Sequence, residues 1–226
     1  MKTLKVTIGI LAFLLFTFTS CKKEKNEPKP EDTTVTAEDL LNYQMFWALS
    51  EPDKTISIRV LYFEKVGNEI KGTLDGIVSR NIKTIKIENN SLVFDLNENG
   101  SVVYTFEFTK KDGRVAIASG KFYNINNPEY KVEGFSILHI SEFPSVKNKT
   151  YKDNGNNNQL IKFNSDTWLW SAYPNVTGTY YEAGHGCWKG KINGISFMGI
   201  SLTTSEGVVM GMQKYGAKDP ISFVLY

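Results

Sequence analysis

Apolar residues in this chain recur at every second position, and the stretches that show it lie too close together to be joined by helices. "TISIRVLYFEKV" (55–66) sets Ile56, Ile58, Val60 and Tyr62 against Ser57, Arg59, Leu61 and Phe63. "SVVYTFEFTK" (101–110) sets Val102, Tyr104, Phe106 and Phe108 against Val103, Thr105, Glu107 and Thr109. Successive side chains of a strand point to opposite faces, so this is the pattern of strands with one apolar and one mixed face. Turn signals separate the runs at Gly67-Asn68, Asn89-Asn90, Asn97 to Gly100, Asp112-Gly113 and Asn126 to Pro128. Connections this short hold no crossover helix, so neighbouring strands are predicted to pair antiparallel in a meander.

A second series of strand-like runs follows the asparagine-rich "SVKNKTYKDNGNNNQ", which reads as a loop and a seam at 148–159. It comprises "LIKF", "TWLWSAY", "TGTYYEA", "CWKGKI", "ISFMGISLTT", "GVVMGMQKY" and "ISFVLY". Glycine falls inside such runs at Gly72, Gly120, Gly134, Gly178, Gly190 and Gly199, where it implies bends, bulges or close approach of other groups. A strongly curved barrel needs such positions more than a two-sheet sandwich does. The expected fold is therefore all-β, an antiparallel meander closing into a barrel, with a two-sheet sandwich as the alternative. The apolar terminal run, Ile221, Phe223 and Leu225, is expected to close the barrel by pairing with "TISIRVLYF", the first strand. One N-terminal helix is expected: Thr36 and Asp39 form a capping box, and Leu40, Tyr43 and Trp47 follow at helical spacing.

The N-terminus carries a different message. Lys2 and Lys5 precede an apolar run from Ile8 to Phe18, then Thr19-Ser20-Cys21, the order of an export signal too short to span a membrane comfortably. A cysteine directly after small residues resembles the lipobox of bacterial lipoproteins. That resemblance implies cleavage after Ser20 and acyl chains of the palmitate kind on Cys21. An ordinary signal with an incidental cysteine is the alternative. Two acyl chains, at about 0.8 kcal/mol per buried CH₂, anchor a protein firmly in a membrane. The implied location is the bacterial cell envelope, at the outer membrane, with 21–35 as a charged, proline-bearing tether and 36–226 as the folded body. With the signal removed, Lys+Arg falls from 26 to 24 by loss of Lys2 and Lys5, matching 24 Asp+Glu, which gives no electrostatic case for nucleic acid. With Cys21 lipidated, Cys187 has no cysteine partner, so the body gains no disulfide. The whole arrangement (lipoprotein signal, polar tether, short helix, glycine-bent meander) resembles lipocalin-like bacterial lipoproteins. No binding residues carry over, because the Gly-x-Trp signature is absent and Trp47 lies in "QMFWAL".

Candidate chemistry centres on "YYEAGHGCWKG" (180–190), which holds His185 and Cys187 between glycines. A reactive cysteine needs a base, a cation or a helix N-terminus beside it. The flanking Gly184 and Gly186 instead favour a hairpin turn, with Cys187 as a small hydrophobe. A Cys/His hydrolase is the weaker alternative, and a metal site would have to recruit His139 from a distant strand. Asp95, Glu107 and Glu133 sit at solvated strand positions. The chain has no phosphate loop, no G-x-S-x-G elbow and no H-E-x-x-H, so no cofactor is implied. Trp168 and Trp170 share one strand face, with Tyr181 and Trp188 close behind. Buried, these rings are a barrel core, which is the favoured reading; exposed, they are flat surfaces for a glycan or a protein. The sequence thus predicts a non-enzymatic envelope protein with a barrel cavity or cleft for a small apolar or amphipathic ligand, with Trp168, Trp170, Tyr181 and Trp188 as its candidate lining. A glycan- or protein-binding surface built on those aromatics is the alternative.

Overall fold

The computed structural model describes residues 33–52, 56–77, 79–155, 158–217 and 221–226. The export signal, Cys21 and most of the expected tether lie outside the described residues. The end of that tether belongs to the body, since Val35 is buried and its N–H donates to Asn90 Oδ1 at 2.8 Å. Thr36 caps a single-turn helix, α1 (Ala37–Leu40), and the capping box forms: Thr36 N–H donates to Asp39 Oδ2 at 2.8 Å and Asp39 N–H to Thr36 Oγ1 at 3.3 Å. The helix stops there. The residues expected to extend it form strand β1 (Tyr43–Ser50), in which Met45, Trp47 and Leu49 alternate into the core. Helical spacing and period two overlap in this stretch, and strand pairing on both sides of β1 decides between them.

Strands β2 (Ile56–Val66), β3 (Glu69–Gly76) and β4 (Arg80–Thr84) follow as successive antiparallel neighbours. Short β5 (Ile87–Glu88), β6 (Ser91–Asp95), β7 (Val102–Lys111) and β8 (Arg114–Asn124) make a second sheet. Then β9 (Lys131–His139) returns to the free side of β1, giving the first sheet the order β4-β3-β2-β1-β9. Met45, Trp47, Leu61 and Phe63 pack against Leu92, Phe94, Tyr104 and Phe106 of the second sheet. The Trp47 ring lies 5.0 Å from that of Tyr104 and 5.3 Å from that of Phe135. This half has the two-sheet arrangement held as the alternative.

A 3-10 turn, Ile140–Glu142, leads into the second half. Here β10 (Thr150–Asp153), β11 (Leu160–Phe163), β12 (Thr167–Trp170), β13 (Thr177–Glu182), β14 (Cys187–Ile192), β15 (Ile195–Thr204), β16 (Gly207–Lys214) and β17 (Ile221–Leu225) pair in sequence order. Strand β17 closes the ring on β10, with Tyr151 opposite Leu225 and Asp153 opposite Phe223. The result is a closed eight-stranded antiparallel barrel of the up-and-down kind. Two expectations are corrected. The barrel takes in 150–225 rather than the whole body, and the asparagine-rich stretch is its first hairpin rather than the seam. Nor does the last strand pair with β2, which is already hydrogen-bonded on one side to β1 and on the other to β3.

Eight strands leave an interior just wide enough for side chains to fill. Phe163, Trp168, Trp188 and Phe197 fill it, with ring centroids 4.9 Å apart for Phe163–Trp188 and 5.1 Å for Trp168–Trp188. Two glycines make the room. A Cβ at Gly178 would clash with the Trp168 indole, and one at Gly199 with the Trp188 indole. In the barrel, Gly178, Gly190 and Gly199 therefore mark close approach of tryptophans to neighbouring strands, while in the first half Gly72 makes room for Ile85 and Gly120 for the Phe135 ring. This packing leaves the buried Nε1–H of Trp168 and of Trp188 without an acceptor among the described residues.

Candidate functional site

The structure brings three of the four tentative binding residues together, but on the inside. Trp168 and Trp188 are 0% exposed and Trp170 7%, and the Trp170 indole N–H donates to Gln159 Oε1 at 2.9 Å. Trp168 and Trp188 are packed barrel core with no surface for a glycan or a ligand, whereas Trp170 keeps a small exposed area beside Leu160 and Tyr173, so the expected lined cavity is corrected to a filled core. Tyr181 points the other way and is 49% exposed. It borders a shallow cleft of about 370 Å³ with Thr179, Lys189, Lys191 and Ser196, and Lys189 Nζ sits 5.9 Å from its ring centre.

His185 and Cys187 are in the β13–β14 hairpin, as the flanking glycines predict, with Ala183 N–H donating to Cys187 O at 2.7 Å. Cys187 is sealed from solvent, and burial pushes its thiol well above the usual range despite a 3.2 Å hydrogen bond from Gln44 Nε2. A thiol so placed is a poor nucleophile. Gln44, fully buried on β1, also donates through Nε2 to His185 O and accepts from His185 N–H through Oε1, each at 2.8 Å. One glutamine thus satisfies both backbone groups of His185 and pins the hairpin to the first half. The His185 ring is exposed, and His139 is exposed on β9 with Nδ1 2.7 Å from Ser141 Oγ. Asp95 spends its carboxylate on the β6–β7 turn, accepting from the N–H groups of Asn97, Glu98 and Gly100, and Glu107 accepts from Ser119. The Glu133 side chain lies outside the described residues.

The two halves meet along a face the sequence did not single out. Alternation on β2 sends Leu61 and Phe63 into the sandwich and Val60 and Tyr62 toward the barrel. Alternation on β15 sends Phe197 into the barrel and Met198 and Ile200 outward to meet them. Lys189 Nζ and buried Asp75 Oδ1 join across the junction at 2.7 Å. A buried ion pair of this kind specifies geometry more than it adds stability.

The junction does not close completely. Beside the contact lies a groove of about 300 Å³ lined by Phe46, Ile56, Ile58 and Phe135 from the first half and Ile200 and Gln213 from the barrel wall. The lining is apolar apart from Gln213 and the Ser136 hydroxyl. Its size is at the lower end of small-molecule sites, and a seam between two packed units is a favoured place for one. The sequence signal for this groove was faint. Gln44 in "YQMFW" and Gln213 in "MGMQK" are polar residues on apolar strands, a departure that marks a buried contact only once the facing surface is known.

No family model matches the chain, and no curated protein sequence matches it. Among solved structures it is similar to the glycoside hydrolase, family 43 YxiA protein from Bacillus licheniformis, at 11% identity and a TM-score of 0.26, over 79% of this chain and 54% of that one. The chain spans about half the length of that protein, and a likeness this slight carries no argument about fold or activity.

Proposed function

We propose that the mature protein is a non-catalytic, lipid-anchored protein of the bacterial cell envelope that binds a small apolar or amphipathic ligand in the groove between its two halves. The observation that carries the binding reading is the groove itself: Phe46, Ile58, Phe135 and Ile200 form an apolar recess beside a barrel whose own interior is filled. Transfer of a ligand's apolar surface from water into such a recess supplies about 25 cal/mol per Å². The non-catalytic reading rests on Cys187, whose thiol is buried and held protonated. The anchor reading rests on the order Lys2, Lys5, apolar run, Ser20, Cys21.

Two measurements test these parts separately. Cys21→Ala moves the protein from the membrane to the soluble fraction, and equal membrane retention removes the anchor. For the groove, 1-octanol, small enough for the recess, gives a calorimetric binding signal with wild-type protein. Ile58→Trp, which fills the recess from a half-buried position, abolishes that signal. Tyr181→Ala, in the other cleft, leaves it unchanged; the reverse pattern would move the site to Tyr181.

A further inference from the structure

We infer that the barrel wall facing away from the first half is a docking face for an anionic lipid bilayer. Met198 and Ile200 of β15 meet the first half, and in a ring of eight strands β11 stands four places from β15 in either direction, on the opposite side. Alternation sends Tyr151, Ile161, Phe163 and Trp168 into the barrel and turns Lys152, Leu160, Lys162 and Leu169 outward. Register sets the outward residues in two rows, Val224–Lys152–Leu160 and Thr150–Lys162–Leu169. Leu160 and Leu169 are each 39% exposed, and with Tyr173 and Pro174 they border a shallow hollow of about 300 Å³ that Lys162 also lines. Asp153 is the one acidic residue in β10, β11, β12 and β17; it is buried and accepts from Gly155 N–H at 2.8 Å. In the β11–β12 turn, Asp166 accepts from Ser165 Oγ at 3.1 Å. Lys152 and Lys162 have no carboxylate partner among the described residues.

Two properties of this wall name its occupant. Leucines and lysines neighbour one another across the strands, and a lysine stem lies along apolar surface while its ammonium reaches for charge beyond it. The edge of a bilayer takes both at once, with apolar side chains among the acyl chains and ammonium groups at the phosphates. Without Lys2 and Lys5, residues 22–226 hold 24 Lys+Arg against 24 Asp+Glu, so attraction to an anionic surface has to be local. A second copy of the chain is the poorer occupant. A two-fold contact through this wall would set Lys152 and Lys162 near their own copies, with no carboxylate side chain of the wall to meet them. Two lysines and two leucines make a weak contact, one that orients an anchored body and does not hold an unanchored one through cell fractionation. Neither the groove nor the acyl chain on Cys21 is needed for it.

The test uses residues 22–226, which contain every element of the fold and no acyl group. Their sedimentation is measured with vesicles of phosphatidylcholine alone and with vesicles in which a quarter of the lipid is phosphatidylglycerol. At a salt concentration of about 0.01 M, wild type is expected to bind the anionic vesicles about 10- to 30-fold more tightly, roughly fivefold for each lysine, and the ratio shrinks at about 0.15 M. Lys152→Glu with Lys162→Glu brings the two kinds of vesicle within about threefold of each other. Leu160→Ser with Leu169→Ser weakens binding to the anionic vesicles about 3- to 10-fold. Lys65→Glu with Lys191→Glu, the same change of charge at exposed positions on β2 and β14, leaves binding within about twofold of wild type. Equal binding of wild type to the two kinds of vesicle overturns the proposal. So does an equal loss in the two lysine pairs, which would assign the attraction to overall charge. A wild-type dimer that Leu160→Ser with Leu169→Ser returns to monomer, without vesicle binding, gives the wall to a second copy instead. Should either double variant fail to fold, Lys162→Gln and Leu169→Ser, both at exposed positions, are read singly in the same way.

Discussion

The first half of the folded body lays strands of up to eleven residues in two sheets, whereas the second closes eight strands, six of them only four to six residues long, into a ring. In a ring every strand has a neighbour on both sides, so a four-residue strand such as β12 is held from two directions. The two-sheet half leaves edges, and its edge strand β4 carries Arg80 and Lys83, charges that discourage pairing with another chain. Closure has its own cost. The strand number fixes the interior, so Trp168 and Trp188 fit only where Gly178 and Gly199 face them. The sandwich packs Trp47 among Tyr104, Phe106 and Phe135 with no glycine against the indole itself, although Gly120 faces the Phe135 ring in the same way.

The comparison breaks most directly at the closing strand. Deleting 221–226 removes buried Phe223, half-buried Ile221 and Val224, and the ladders to both β10 and β16. Loss of one fully buried Phe side chain alone costs about 3–5 kcal/mol, a large share of the ~5–15 kcal/mol that stabilises an ordinary domain. The expected outcome is an insoluble protein, or one whose near-ultraviolet tryptophan signal collapses, since Trp168, Trp170 and Trp188 all sit in the barrel core. A soluble truncation with an unchanged melting temperature would show that closure contributes little. A smaller effect sharpens the volume argument. Gly199→Ala forces a methyl group against the Trp188 indole and is expected to cost about 1–3 kcal/mol. Gly211→Ala, where the nearest atom is Ile200 Cγ2 at 4.0 Å, is expected to be neutral or slightly stabilising. Equal melting temperatures for the two variants would mean that the barrel interior has slack.

The strands were legible because their signals are local. Alternation in 55–66 and 101–110, and the asparagines and glycines between runs, each act within a few residues, and Asn89, Asn90 and Gly113 take the positive φ that turns require. Closure was legible only as a tendency. The choice of β10 over β2 as partner for β17 depends on which edge is left free, a property of the assembled sheet. Helix length failed because Tyr43 and Trp47, four residues apart, fit the helical and the strand period at once. For the candidate site, the aromatic cluster was found and read first as barrel core, which its burial bears out, while its second reading as a ligand lining is not borne out. The groove left only the faint trace of a polar Gln213 on an apolar strand, since each of its walls is an ordinary strand face until the other half packs beside it.

The smallest expected effect lies at the entry to the first half, where the capping box meets an ion pair. Asp39 accepts from Thr36 N–H and, through Oδ1, from Lys110 Nζ at 2.9 Å, tying α1 to β7. Burial alone would raise the Asp39 carboxyl, but the hydrogen bonds from Lys110 and Thr36 outweigh it and hold the group below the usual carboxylate value. A depressed folded-state pKa contributes stability that is present above the unfolded value, about 3.9, and is lost as pH falls through the folded one. Because the site is partly solvated, the contribution is about 0.5–1 kcal/mol after screening. Asp39→Asn should therefore lower the melting temperature slightly at pH 7 and converge on wild type as the pH falls below the folded-state pKa of Asp39. High salt should shrink the pH 7 difference, since a partly exposed pair is screened. The barrel's tryptophan signal should not sense this variant before the global transition, because among the described residues the Asp39 carboxylate bonds only Thr36 and Lys110. A difference that persists unchanged at low pH would assign the effect to the cap's shape rather than to its charge. An early loss of the barrel signal would show that the two halves melt as one unit from this end.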